Sequence, residues 1–507
     1  MRIQDASPAI SRLHPELLIV ILKQVMKHNP DRDIALLWFT WVCRRWRCII
    51  LEAPLFWKRI GTTHPDFLRE CLSRSRNLPI TFVTSFDQEG YPDPIPTILQ
   101  SLPRTEKLCL AGDALDAWSS SDIDLWKSPA PLLKTLEVSC FLFPERTFSG
   151  FAPLLQNLYL TRCAFDLEEF PTFPGLRSLS IVDARGGVPV FLVLDMFQTS
   201  PQLRSLHIER SMMDEAYGHN NRIHLPKLQY LSIQSEAFNS INELLTHITI
   251  PATAKINIHV NQLDDETVED DDSIRIFDAM LRCRVPSEMT IRSLHIVASD
   301  EGHKYSIIES GQKKERASIT IRFDGETELE RLEDICSWLN LEDLEVLEIA
   351  EQTISLGSSL EFWIPFSGLQ NLHTVKLCTS VAISFVAFMY EAHEPLWETW
   401  PEFGNSDEVN LDGHEELAIA TLSFGCLRTV ALEHLVESPS LDTVAALLVA
   451  VLSIRWLIGR RWTRLVVHGL VPSEEQNVTD LQCMVKKVTY YPVVQGEGDD
   501  DTSVATS

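Results

Sequence analysis

The sequence predicts an α/β protein in two parts: a small N-terminal helical unit, then a repeat array whose strands form a curved parallel sheet with helices on the outer side. Two helix-period apolar patterns fill the first 60 residues, which hold four of the twelve tryptophans. One eight-residue pattern, Pro-x-Leu-x-x-Leu-x-aliphatic, then occurs five times between residues 131 and 233. The charge is divided as the fold is: residues 1–80 carry 13 Lys/Arg against 7 Asp/Glu, whereas the whole chain carries a net −27.

At 507 residues the chain exceeds one ordinary compact domain, so several domains or a repeat array are expected. Its 45% hydrophobic and 23% charged residues describe a soluble globular protein. The acidic balance repels phosphate backbones and excludes nucleic acid as a partner. The opening MRIQDASPAISRLHPELL lacks the unbroken apolar stretch of a secretion signal. The longest apolar run, Val444 to Ile458, is broken by Ser453 and Arg455, falls short of a membrane span and reads as a buried helix, so no membrane partner is expected. Eleven cysteines without CxxC pairs fit buried thiols in a reducing compartment, cytosolic or nuclear, with no metal and no cofactor.

Pro15 suits the first position of a helix, where its missing N–H would have no partner, and Glu16 beside it complements the positive helix end. Leu17, Leu18, Ile21, Leu22, Val25 and Met26 follow on one apolar face, until HNPD at 28–31 ends the helix. A second helix is predicted over about 33–50, with Ile34, Leu37, Trp38, Trp41, Val42, Trp46, Ile49 and Ile50 as a wide apolar surface and Arg44, Arg45 and Arg47 on the remainder. Pro54 ends it and opens a short PLFW wedge. About 50 residues cannot hide this much apolar surface alone, so a partner or the following domain must cover it. Read by themselves, the arginines fit a solvated helix face; the basic recognition helix of a DNA binder is opposed by the acidic remainder.

The segments LHPELLIVIL, WVCRRWRCII and PLFWKRI over residues 13–60 resemble the three parts of an F-box, in outline Leu-Pro-x-Glu-(Ile/Leu)-Leu, Val-Cys-(Arg/Lys)-x-Trp and Pro-x-Leu-Trp. His14 stands where Pro is commonest, with Pro15 one place later, and Phe56 intervenes before Trp57. The resemblance implies docking onto a Skp-type adaptor and, through it, a cullin. By position it makes Leu13, Pro15, Glu16, Leu17, Ile21 and Leu22 the adaptor-facing part of the first helix. Val42, Cys43, Trp46, Leu55 and Trp57 would pack the unit and complete the contact.

The five repeats are PLLKTLEV, PLLQNLYL, PGLRSLSI, PQLRSLHI and PKLQYLSI. Their second leucines are Leu136, Leu158, Leu179, Leu206 and Leu231, at the 21- to 27-residue period of leucine-rich repeats. Within each, two aliphatic residues flank a variable one, and strand alternation sends the aliphatics to a core and the variable residue outward. Looser copies at Ile80, Leu108, Ile256, Leu294, Ile319, Leu347, Val375, Val430 and Leu465 extend the array to roughly 14 strands at about 4.8 Å spacing. LDMFQTS (194–200) and INELLTHI (241–248) supply helices between strands. The variable positions predict an exposed row: Cys109, Glu137, Tyr159, Ser180, His207, Ser232, Asn257, His295, Thr320, Glu348 and Lys376. Its large members Glu137, Tyr159, His207, His295, Glu348 and Lys376 are the candidate contacts to a target protein.

The expected organisation is a tail over 1–12, the F-box-like unit over 13–60 and a linker helix in 61–74. Leucine-rich repeats follow over 75–490, with acidic insertions at 262–273 and 391–416, and a disordered acidic tail closes the chain at 491–507. Enzyme signatures are missing: HEELA at 414 lacks the second histidine of HExxH, and no phosphate loop or Gly-x-Ser-x-Gly elbow occurs. EVNLDG lacks the residues a calcium loop needs at its first and last positions. The reading is a non-catalytic substrate-recognition subunit of a cullin-based SCF ubiquitin ligase. The alternative is a leucine-rich-repeat interaction scaffold that acts outside ubiquitin ligation.

Overall fold

The computed structural model describes residues 13–27, 32–61, 64–85, 94–111, 124–140, 142–143, 147–165, 173–213, 222–235, 238–260, 275–276, 279–280, 282–283, 291–299, 302–309, 318–323, 341–351, 361–399, 424–433, 441–457, 460–468 and 475–491. It is mixed α/β and forms two compact units, Met1–Pro251 and Ala252–Ser507. The expected tail at 1–12, the insertion at 262–273 and the end of the chain beyond Tyr491 lie outside the described residues.

The first unit begins with α1 (Pro15–Lys27), α2 (Arg32–Val42) and α3 (Arg44–Glu52). The single helix predicted over 33–50 is therefore two helices, parted by the extended backbone of Cys43. No Gly or Pro marks the break. Tertiary packing imposes it: α3 lies against α2, and the rings of Phe39 and Trp46 meet edge to face with centroids 6.1 Å apart. After a 3₁₀ turn at Pro54–Phe56, the chain forms β1 (Arg59–Ile60) and joins a parallel sheet beside β2 (Ile80–Ser85). The expected linker helix is α4 (Pro65–Arg74). It is a packed element rather than a spacer. Arg74 places its guanidinium 5.2 Å from the Trp57 ring, donates to the Leu51 carbonyl (3.2 Å) and pairs with Glu70 (2.5 Å).

The sheet continues through β3 (Thr105–Ala111), β4 (Thr135–Ser139), β5 (Asn157–Thr161), β6 (Ser178–Val182), β7 (Ser205–Glu209) and β8 (Tyr230–Ser235), every pairing parallel. Leu136, Leu158, Leu179, Leu206 and Leu231 stand in adjacent register, all buried, as are the leucines three residues before them. The prolines of the repeat also have a physical role. In each copy the residue before Pro accepts a hydrogen bond from the leucine two after it, as in Ala130–Leu133, Ala152–Leu155, Phe173–Leu176, Ser200–Leu203 and Leu225–Leu228 (3.0–3.2 Å). Proline thus occupies the second position of a four-residue turn, where its fixed φ is preformed. Pro201→Ala is expected to cost about 0.4–1 kcal/mol by freeing the unfolded chain, measurable as a lower urea midpoint at unchanged m-value. Just past the strands, Cys140, Arg162, Asp183 and Arg210 take the same left-handed conformation (φ between 43° and 61°), each donating its N–H to the next strand. α5 (Val190–Thr199) and α6 (Phe238–His247) are the helices expected from LDMFQTS and INELLTHI.

The second unit departs from a simple succession. Its strands are β9 (Lys255–Val260), β10 (Ile291–Ser299), β11 (Gly302–Glu309), β12 (Ser318–Phe323), β13 (Val346–Glu351), β14 (Thr374–Cys378), β15 (Thr429–Glu433), β16 (Arg464–His468) and β17 (Val488–Tyr491). Leu294, Ile319 and Leu347 were expected on neighbouring strands in chain order. Instead β9 pairs with β12, and β10 with β13, both in parallel, while β11 lies between β12 and β10 antiparallel to each. The cause is a tight connection, since Ser299 pairs with Gly302 and the chain turns back instead of crossing over. β13 to β17 then follow in order. Residues 391–399, expected to open an acidic insertion, are the last turns of helix α7 (Thr379–Thr399); residues 400–416 lie outside the described residues. The apolar run near 450 is helix α8 (Leu441–Leu457). Its Arg455 is fully buried, donates to the Phe424 carbonyl (2.9 Å) and faces the Trp462 ring at 5.9 Å. Burial lowers its pKa to about 10, which still leaves it charged at neutral pH. Among the described residues no helix is long and apolar enough to cross a membrane.

Candidate functional site

Helix α1 carries two apolar stripes at four-residue spacing. Leu18, Leu22 and Met26 are buried, while Leu17, Ile21 and Val25, with Val20 beside them, face solvent. Helix α2 repeats the division: Ala35 and Leu36 are buried, and Leu37, Trp38, Trp41 and Val42 are exposed. Trp41 leaves 68% of its surface in water and Trp38 58%. Folding does not consume these stripes. Single exposed apolar residues need no explanation, but here eight large ones stand exposed on two adjoining helices.

The residues expected to face an adaptor fall into two groups. Pro15, Glu16, Leu17, Ile21, Val42 and Cys43 are exposed, and Leu13, Trp46 and Leu55 are partly so. Leu22, expected to face the adaptor, is 1% exposed and belongs to the core, and Trp57, expected to pack the unit, is 2% exposed and does so. Trp57 donates its Nε1–H to the Ile50 carbonyl (2.9 Å) and meets the Phe67 ring with centroids 6.2 Å apart. It fastens α3 to α4 and so fixes the helices to the sheet. Arg45 has a comparable role, donating to the Leu13 carbonyl and tying the start of α1 to α3. Val20, Val25, Leu37, Trp38 and Trp41 were absent from the expected set. Val25 continues the four-residue series 17-21-25 beside 18-22-26, and Leu37, Trp38 and Trp41 lie on the apolar surface that the sequence marks over 33–50.

The row read from the variable repeat positions exists as two rows, one in each unit. In the first, Cys109, Glu137, Tyr159, Ser180, His207 and Ser232 are in direct register. Glu137 and Tyr159 are exposed and His207 is half-buried, whereas Cys109 and Ser232 are buried at 7% and 3%. Glu137 accepts from the Cys109 thiol (3.1 Å) and lies 3.8 Å from Lys107; His207 Nε2 lies 3.3 Å from Glu209. In the second unit the row reads Asn257, Thr320, Ser306, His295, Glu348, Lys376, so Ser306 is an unexpected member and Thr320 precedes His295. Glu348 and Lys376 pair at 2.9 Å; the side chains of His295 and Thr320 lie outside the described set.

Burial, reinforced by the Glu137 carboxylate, pushes the Cys109 thiol up to about 12. A raised pKa leaves almost no thiolate at pH 8. Iodoacetamide at that pH is expected to label the exposed Cys43 and Cys48 and leave Cys109 unmodified by peptide mass mapping. Every described cysteine is a free thiol.

Comparison with models of known protein families and with curated proteins returns no match to this chain.

Proposed function

We propose that the chain is a non-catalytic substrate receptor of a cullin-based SCF ubiquitin ligase, working in the cytosol or nucleus. An F-box-like helical unit docks a Skp-type adaptor, and a leucine-rich-repeat array holds a target protein. The observation that carries the proposal is the solvent-exposed apolar stripe of α1, Leu17-Ile21-Val25, within a segment that resembles the first part of an F-box. A stripe left open by folding is what a docking helix needs, because binding then covers area that the fold itself leaves in water.

Three recurrences support the repeat reading: parallel strands with their leucines in register, the proline-led turn and the left-handed residue after the strand. The strands of each unit present a mostly neutral polar row. Glu137, Tyr159 and His207 in one unit, and His295, Glu348 and Lys376 in the other, are the proposed target contacts, with the Glu348–Lys376 pair already mutually neutralised. Co-expression of the full chain with a Skp-type adaptor and a cullin tests the proposal. A stable ternary complex is expected; adaptor without cullin favours a scaffold outside ubiquitin ligation, and recovery of neither ends the ligase reading.

A further inference from the structure

The residue two before each core leucine forms a row of its own along the N-terminal rim of the first unit's sheet. Backbone hydrogen bonds connect it rung by rung: Lys134 N–H to the Glu106 carbonyl (2.8 Å), Gln156 to Lys134 (2.9 Å), Arg177 to Gln156 (2.7 Å), Arg204 to Arg177 (2.7 Å) and Gln229 to Arg204 (2.8 Å). Side chains at this position meet across strands, as the 2.7 Å pair of Lys134 with Glu106 demonstrates. The equivalent row of the second unit runs Arg292, Glu345, His373, Arg428, and there Glu345 stands between two basic neighbours, 3.1 Å from Arg292 and 3.7 Å from His373.

Arg177 and Arg204 break this rule. They are adjacent on the row, exposed, alike in charge and without a side-chain partner among the described residues. Like charges directly opposite on neighbouring strands are destabilising, so nothing in the fold favours the pair. Lys227, in the next proline-led turn, adds a third cation and binds Gln202. PLLQNLYL, PGLRSLSI, PQLRSLHI and PKLQYLSI, which build this part of the rim, contain no Asp or Glu, in a chain of net charge −27. Screening over about 8 Å in physiological salt makes this local charge, not the distant excess of acid, what a ligand at the rim senses.

We infer that the rim Gln156–Arg177–Arg204–Gln229 receives an acidic segment of a partner protein. Four donors over three strand spacings extend about 14 Å, the length of four or five residues of extended chain. Each guanidinium fork suits one carboxylate, and the flanking glutamine amides can donate to the segment's backbone carbonyls. A single small anion would leave most of the row unused. As target recognition this rests on the receptor reading above, but the rim is built without the N-terminal helices.

The test uses the full chain and a fluorescein-labelled hexaglutamate peptide, followed by anisotropy at physiological ionic strength, with hexaglutamine as the neutral control. Arg177→Gln/Arg204→Gln is expected to weaken hexaglutamate binding at least about tenfold, while Lys134→Gln, which removes an already paired cation, changes it by less than about twofold. The double variant is also expected to melt no lower than the parent, because it removes a repulsion. Equal binding by the double variant, equal binding of hexaglutamine, or full displacement by inorganic phosphate at the peptide's own concentration would overturn the inference. No adaptor enters the assay, so its failure leaves adaptor docking untouched, and failure of adaptor docking leaves the rim standing.

Discussion

Trp57→Ala is expected to loosen the N-terminal helices by about 3–5 kcal/mol while the strands beyond β2 keep their structure. The indole is buried on every side, so the loss includes its apolar area, a cavity and the hydrogen bond to the Ile50 carbonyl. It also removes the surface on which Arg74 rests and the partner of Phe67, the contacts that hold α4 against the helices. Hydrogen exchange by mass spectrometry on the full chain would read this locally: peptides from 15–52 should lose protection and those from 157–209 should not. Trp57→Phe, which keeps most of the apolar volume, should cost far less. Unchanged protection over 15–52 in Trp57→Ala would show that the tryptophan is not the fastener described here. Any loss of adaptor binding in this variant would follow from unfolding and would not report a contact.

Where one residue pattern fixes one local geometry, the sequence was legible. Leu-x-x-Leu-x-aliphatic told core from surface in each parallel strand, because strand alternation leaves no other way to bury both aliphatics. Helices α5 and α6 lie where LDMFQTS and INELLTHI stand between strand patterns. What escaped left no signature in the local residue pattern. Nothing near Cys43 announces that the helix breaks, since the break serves the packing of Phe39 on Trp46. β11 and the exchanged neighbours of β9 and β10 escaped for a related reason: the spacing between Leu294, Ile319 and Leu347 is the same whether the chain crosses over or doubles back. Of the candidate site, the sequence marked an excess of apolar surface over 13–60. It placed Trp57 among the residues that pack the unit and complete the contact, but it did not separate Trp57 from Trp41 by burial, because both stand in apolar segments.

That distinction yields the sharper test of adaptor docking. Leu17 and Ile21 are 55% and 43% exposed, so Leu17→Asp/Ile21→Asp places two carboxylates in water in the free chain and should leave its melting temperature nearly unchanged. On docking, the same carboxylates would have to leave water for an apolar interface, at several kcal/mol unless protonated. Adaptor affinity is therefore expected to fall more than about 100-fold, the equivalent of about 2.7 kcal/mol. Trp38→Ala/Trp41→Ala examines the α2 stripe in the same way, since exposed tryptophans that become buried on binding are the side chains whose truncation is felt most. If only the α1 variant loses the adaptor, α2 serves a different neighbour. If calorimetry finds both variants binding as the parent does, with their folds intact, the N-terminal helices are not an adaptor-docking unit, and the resemblance of residues 13–60 to an F-box carries no function here.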